Sequence, residues 1–169
     1  QNKLFNEIVI GDYFKKLMKT LQLNYSKAVN FDQTMTLMKR IISFSDKRLA
    51  AFIANSFREI FSYLSIDTEI LMSSDIPKDN SLRGKDKILQ ICEILGADTY
   101  YNAIGGQNLY DKKEFSEHGI VLNFVDTIPK VYSQLRTKEF VPYLSMIDVL
   151  MNNTKDEVND LLDSFCVRY

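Results

Sequence analysis

Several groups with acid, base or anion-binding capacity stand at positions where a fold can use them. Arg83-Gly84-Lys85-Asp86-Lys87 precedes or opens a helical pattern. Free backbone amides at such a start, with Arg83 or a lysine beside them, suit a bound anion. Asn102 and the pair Gly105-Gly106 follow a strand pattern. In an open α/β sheet the loops at the carboxyl ends of parallel strands line a ligand crevice, and Ser73-Ser74-Asp75 would reach the same end. The glycine pair lacks the flanking residues of a P-loop or dinucleotide fingerprint, so a turn is its simplest use. Tyr132, Gln134 and Phe140 lead into Ser145 and Asp148. Polar loop residues beside aromatics suit a sugar or a nucleotide, and equally tie a helix to a sheet. Ser145 and Asp148 have helix-start spacing, which makes capping the leading explanation for both.

Asp75, Asp86, Asp98, Asp126 and Asp148 supply further carboxylates, but their spacing defines no standard site and no metal is predicted. His118 is the only histidine and has no cysteine or second histidine for a zinc motif. Ser145, His118 and Asp148 lack the strand-turn-helix setting of a nucleophile elbow.

These groups need elements to hold them. Residues 4–10 read as a short strand before Gly11, with Asp12 as a cap for a helix carrying Phe14, Leu17, Met18 and Leu21. Met35, Met38, Ile41 and Ile42 mark a second helix. Leu49 to Leu64 mark a third, apolar on more than one side and therefore central to a helical layer. Residues 69–73 read as a strand, Ile88 to Leu95 as a helix ended by Gly96, Thr99 to Tyr101 as a strand, Asp111 to Glu117 as a short helix, and Ile120 to Val125 as the clearest strand. Short connections predict that these three strands are parallel. Residues 130–142 are irregular. Ser145 caps one helix, and Thr154 with Glu157 forms a capping box for a last one carrying Val158, Leu161, Leu162 and Phe165.

The fold expected is α/β: a small, mainly parallel sheet flanked by helices, with a helical N-terminal layer and C-terminal helices. The chain is expected to be one domain over 1–169, with the helical layer over 1–66, a β-α-β-like core over 67–128, and a loop with C-terminal helices over 129–169.

Composition bounds the partners. Twenty-one basic residues against 22 acidic ones give a net charge of -1, and 46% of residues are hydrophobic. No block of like charges points to nucleic acid, so none is predicted as a partner. Cys92 and Cys166 have no paired spacing and read as reduced thiols, which suits a cytoplasmic protein. No run of 18 apolar residues is present, so no transmembrane segment is predicted.

Gly84-Lys85-Asp86-Lys87-Ile88-Leu89, Leu95-Gly96-Ala97, Tyr101-Asn102-Ala103, Gly105-Gly106, Leu109-Tyr110, Tyr132, Gln134, Phe140 and Leu144-Ser145-Met146-Ile147-Asp148-Val149-Leu150 occur in order. This set resembles the WbqC-like protein family over most of residues 70–153, and Lys16 to Ala28 resembles it too. The family's Gln-Pro-Tyr-Phe-like opening is missing, so the resemblance implies the C-terminal part of a longer protein without the usual N-terminal segment. It implies a transferase acting on a nucleotide-linked sugar or glycan precursor in bacterial O-antigen or surface-polysaccharide biosynthesis, with amino-acid or glycine transfer as one form. The alternative is a noncatalytic protein that binds a precursor or scaffolds pathway proteins. The resemblance names no cofactor. It implies Asp86, Lys87 and Asp148 as catalytic residues. Arg83, Gly84, Asn102, Gly105, Gly106, Tyr110, Tyr132, Gln134 and Ser145 are implied in substrate binding. Lys87 or Arg83 would neutralise a phosphate, Asp86 would orient substrate or transfer a proton, and Tyr132 with Gln134 would contact a sugar.

Overall fold

The computed structural model describes residues 3–168. The chain divides into two compact units. One runs to Ile70 and includes Pro129–Asp163. The other is Leu71–Ile128 with the segment from Ser164 onward.

The first unit is helical: α1 (Phe14–Tyr25), α2 (Phe31–Ser43), α3 (Leu49–Leu64), α6 (Met146–Asn152) and α7 (Lys155–Leu162). Its core joins Leu21, Met35, Met38, Ile41, Leu64, Leu150, Met151 and Val158, the stripes expected from helical spacing. The α6 end is held by side chains. The carbonyls of Asp148 and Val149 accept from Asn152 Nδ2 at 2.9 Å and Asn153 Nδ2 at 2.8 Å. The Leu150 carbonyl accepts from Asn30 Nδ2 and Thr34 Oγ1, and that of Met151 from the Asn30 amide. The orphan carbonyls of a helix end are thereby satisfied inside the protein. This accounts for the burial of Asn30, Thr34 and Asn153. Lys47 closes the other side. Its ammonium donates to the Ile42 and Phe44 carbonyls at the end of α2 and lies over the stacked rings of Phe14 and Phe52.

The second unit carries α4 (Gly84–Ile94), β1 (Thr99–Ala103), α5 (Lys112–Glu117), β2 (Val121–Thr127) and β3 (Phe165–Arg168). Leu89 and Cys92 of α4 and Phe115 of α5 bury against Leu122 and Phe124 of β2. Alternation along β2 sends those two side chains to one face.

The sheet corrects the expectation of mainly parallel strands. Its order is β1-β2-β3. β1 pairs parallel with β2, and β3 pairs antiparallel, so the sheet is mixed. The α/β class with helices beside a small sheet stands. Residues 69–73 form no strand; a single 3-10 turn, Ser73–Asp75, follows instead. Ser73-Ser74-Asp75 is therefore no parallel strand end. The third strand comes from Phe165–Arg168, which helical spacing from Val158 assigned to α7. The helix stops at Leu162, and Phe165–Arg168 pairs with Phe124–Thr127, giving the edge of β2 opposite β1 a hydrogen-bonding partner. The strand expected at 4–10 is a 3-10 turn, Phe5–Glu7, plus one bridge between Val9 and Arg48. Leu4, Phe5 and Val9 stay exposed there, so no burial drives a longer pairing. Among the described residues no helix is long and apolar enough to cross a membrane.

Candidate functional site

The helical unit gathers four polar side chains from distant parts of the sequence. Ser145 caps α6 by accepting the Ile147 amide at 3.2 Å, which places Asp148 in the first turn. Asp148 is only 6% exposed. Its Oδ1 accepts the hydroxyl of Tyr25, the last residue of α1, at 2.8 Å. Its Oδ2 accepts the hydroxyl of Tyr132 at 2.7 Å, with Gln134 Nε2 beyond at 3.5 Å.

Gln134 has a second task. Its amide exchanges two 2.8 Å bonds with the backbone of Val141, closing the irregular loop on itself. The Tyr132 ring meets Phe140 edge to face at 5.3 Å. Asn152 Oδ1 accepts the Leu135 amide and fixes the loop to α6. A loop with no regular structure is thus positioned by side-chain bonds.

No salt bridge neutralises Asp148 among the described residues. A buried carboxylate without a cation needs strong donors, and the two phenols provide them. Burial first, then the bond to Asp148, pushes the Tyr25 pKa up to about 12. Burial also pushes Tyr132 up, opposed by Gln134 and reinforced by Asp148. Both hydroxyls stay protonated at neutral pH and donate. A recess of about 240 Å³ opens beside this cluster, walled by Tyr132, Asn152, Asn153 and Glu157.

The remaining sequence-predicted residues belong to the sheet unit. Gly84 opens α4 at φ +50°, a conformation that favours glycine. Arg83 folds back, donating to the carbonyls of Asn80 and Leu82. Asp86 is exposed in the first turn of α4 and Lys87 half-buried. Gly106 is buried against Asn102, where a Cβ would lie 2.9 Å from Nδ2. Gly105 has open space. Tyr110 packs edge-on against Tyr100 and Phe115 in the apolar core.

The structure therefore joins Tyr132, Gln134 and Asp148, and separately Asn102 and Gly106. It keeps Ser145 as a cap and Tyr110 in packing. His118 pairs with Glu93 at 2.7 Å in an exposed position. Among the described residues no group of three or more His, Cys, Asp or Glu side chains could hold a metal ion.

Sequence reasoning missed Tyr25, Asn152 and Asn153. Tyr25 lies four residues after Leu21 on the buried side of α1, and a hydroxyl on such a stripe is the signal that it seeks a buried acceptor.

The sequence model of the WbqC-like protein family matches residues 1–160 of the 169. The matched span takes in α1 to α3 as well as residues 70–153. The expectation that only the family's C-terminal part is represented, without its usual N-terminal segment, is thereby corrected. No curated protein and no solved structure matches the chain. With nearly its whole length matched, the chain belongs to the WbqC-like protein family.

Proposed function

We propose that the chain is a transferase acting on a nucleotide-linked sugar or glycan precursor in bacterial surface-polysaccharide assembly, the O-antigen pathway included. One observation carries the reading: a buried, cation-free Asp148 held by two phenols beside an open polar recess. Burying and fixing such a group costs free energy that packing alone does not require. Family membership supports the pathway.

Both Asp148 oxygens already accept phenols, so its role is to position Tyr25 and Tyr132. Tyr132 then presents its ring to a sugar, with Gln134 holding the loop. In the sheet unit, Lys87 or Arg83 would neutralise a phosphate, and Asp86 would orient substrate or take a proton. Gly84, Asn102, Gly105, Gly106, Tyr110 and Ser145 would act by contact or by shaping these segments.

The occupied state of Asp148 also favours a second reading, a noncatalytic precursor-binding or pathway-scaffolding protein, because a satisfied carboxylate suits binding as well as turnover. Full-length protein incubated with nucleotide sugars and amino-acid or acyl donors, with products read by mass spectrometry, separates the two. A product lost in Asp148→Asn with the fold retained supports the transferase. Precursor binding without product across the donor panel favours the binding protein. Neither binding nor product removes both readings.

A further inference from the structure

In the sheet unit the first half of β2 is bonded along one edge only. The Val121 amide donates to the Asp98 carbonyl at 2.8 Å, on the side of β1. Backbone polar groups alternate between the two edges of a strand, so the N–H and C=O of Leu122 point to the other edge. The pairing with β3 on that edge covers Phe124–Thr127. Leu122 therefore has no strand partner there among the described residues. A groove of about 370 Å³ follows this stretch, walled by residues 119–123 and by Lys112 and Ser116, which share one face of α5.

Asn123 lines the same groove. It is only 4% exposed, and its Oδ1 has no hydrogen-bond partner among the described residues. A buried amide oxygen is destabilising until a donor reaches it. A β-branched apolar residue would fill this strand position without that cost, so packing does not call for an asparagine. Lys112 is the one charged side chain in the lining, and it joins no salt bridge among the described residues.

Three requirements thus meet in one groove: a backbone donor and acceptor on a strand edge, a buried oxygen without a donor, and an exposed ammonium. One residue in extended conformation answers the first by bonding to both Leu122 groups. A hydroxyl or amide side chain beside it answers the second, and a carboxylate answers the third. The volume lies at the small end for a ligand site and admits a short stretch of chain.

We propose that the groove between α5 and residues 120–123 of β2 binds an extended, acidic peptide segment of a partner protein, which adds a strand to the sheet along the line of β3. This goes beyond the transferase reading, whose Asp148 cluster belongs to the helical unit.

Fluorescence polarisation of the full chain against an array of labelled pentapeptide amides tests it. Each peptide has Glu at its centre and Val, Thr, Ser or Gln around it. The best of them binds, and it weakens about tenfold when the central Glu becomes Lys or when the N–H facing Leu122 is methylated. Lys112→Glu weakens it about fivefold, and the exposed first turn of α5 tolerates that acid. Asn123→Val weakens binding about tenfold while raising the urea midpoint, because it removes the unsatisfied oxygen. Hydrogen exchange locates the contact without any substitution. The Leu122 amide exchanges faster than that of Phe124 in the free chain and slows about tenfold or more with peptide bound. Silence across the array overturns the assignment. So does binding indifferent to Lys112→Glu, or binding that leaves Leu122 exchange unchanged. Leu122 protection that rises with protein concentration in the peptide-free chain gives the edge to a second copy and also overturns it.

Discussion

In the helical unit, Asn30, Thr34, Asp148 and Asn153 are nearly inaccessible, and each is bonded to another helix, another loop or the end of α6. Among the described residues of the sheet unit the buried polar side chain is Asn123, whose Oδ1 has no partner there, while Arg83 donates to carbonyls of its own loop. The two units thus handle polarity in opposite ways. One builds a connected buried network, where partners fix one another and a missing member is costly. The other builds an apolar core and leaves most of its charges in water. A network of this kind holds side chains to a defined geometry, which is the property a binding or catalytic surface needs.

The strongest way to break this contrast is to remove its centre. Asp148→Ala leaves two half-buried phenols without their acceptor and uncouples α1, the loop and α6. Urea unfolding should show a loss of about 3 kcal/mol. Asp148→Asn keeps the shape and one good acceptor, so it should cost nearer 1 kcal/mol. Equal losses for the two variants would mean that the carboxylate is not what the phenols require.

A matched pair in the sheet unit comes next. Gly106→Ala sets a methyl 2.9 Å from Asn102 Nδ2, whereas Gly105→Ala meets open space. The first should lose about 2 kcal/mol in thermal or urea unfolding, and the second should stay within about 0.5 kcal/mol. Adding Asn102→Ala to Gly106→Ala should recover part of the loss. Failure to recover would place the requirement for glycine in the backbone rather than in the close approach.

How far the sequence could announce these features depends on the range of the forces involved. The helices were readable because their apolar stripes are local, and so were the Ser145 cap and the Thr154–Glu157 box, which span three residues or fewer. β1 and β2 were readable from dense β-branched and aromatic residues. β3 was not, because Phe165 falls on the helical period of α7 and only pairing with Thr127, about forty residues earlier, decides its state. The polar cluster shows the same split. Tyr132, Gln134 and Asp148 could be nominated together because they are close in the chain. Tyr25 could not, since its bond to Asp148 crosses 123 positions. A polar residue reveals that it needs a partner, but not which one.

Alkaline pH probes the network through Tyr25 with a smaller expected effect. Its pKa rises from 10.0 to about 12 in the folded chain, so the fold binds that proton more tightly than the unfolded chain does. The resulting stability is complete below about pH 10 and is lost as pH climbs through 12. The loss should be of order 1–2 kcal/mol at its end. Tyr25→Phe removes the titrating group, so this part of the alkaline decline should flatten while stability at neutral pH falls by about 1 kcal/mol. An unchanged alkaline slope in Tyr25→Phe would assign the decline to other groups.

The smallest effect concerns the end of α3, where the helical unit pays no burial penalty. Ser65 closes that helix at φ +59°, a left-handed conformation that costs a non-glycine residue about 1 kcal/mol. Its hydroxyl accepts from Lys155 at 2.6 Å, an exposed contact worth little in water. Ser65→Gly removes the strain and gives up that contact, and glycine's greater freedom in the unfolded chain offsets part of the gain. The balance should favour the variant by about 0.5 kcal/mol, read as a raised urea midpoint with an unchanged m-value. A destabilised Ser65→Gly would mean that the Lys155 contact, rather than the backbone, governs this junction, and Lys155→Met would then reproduce the loss.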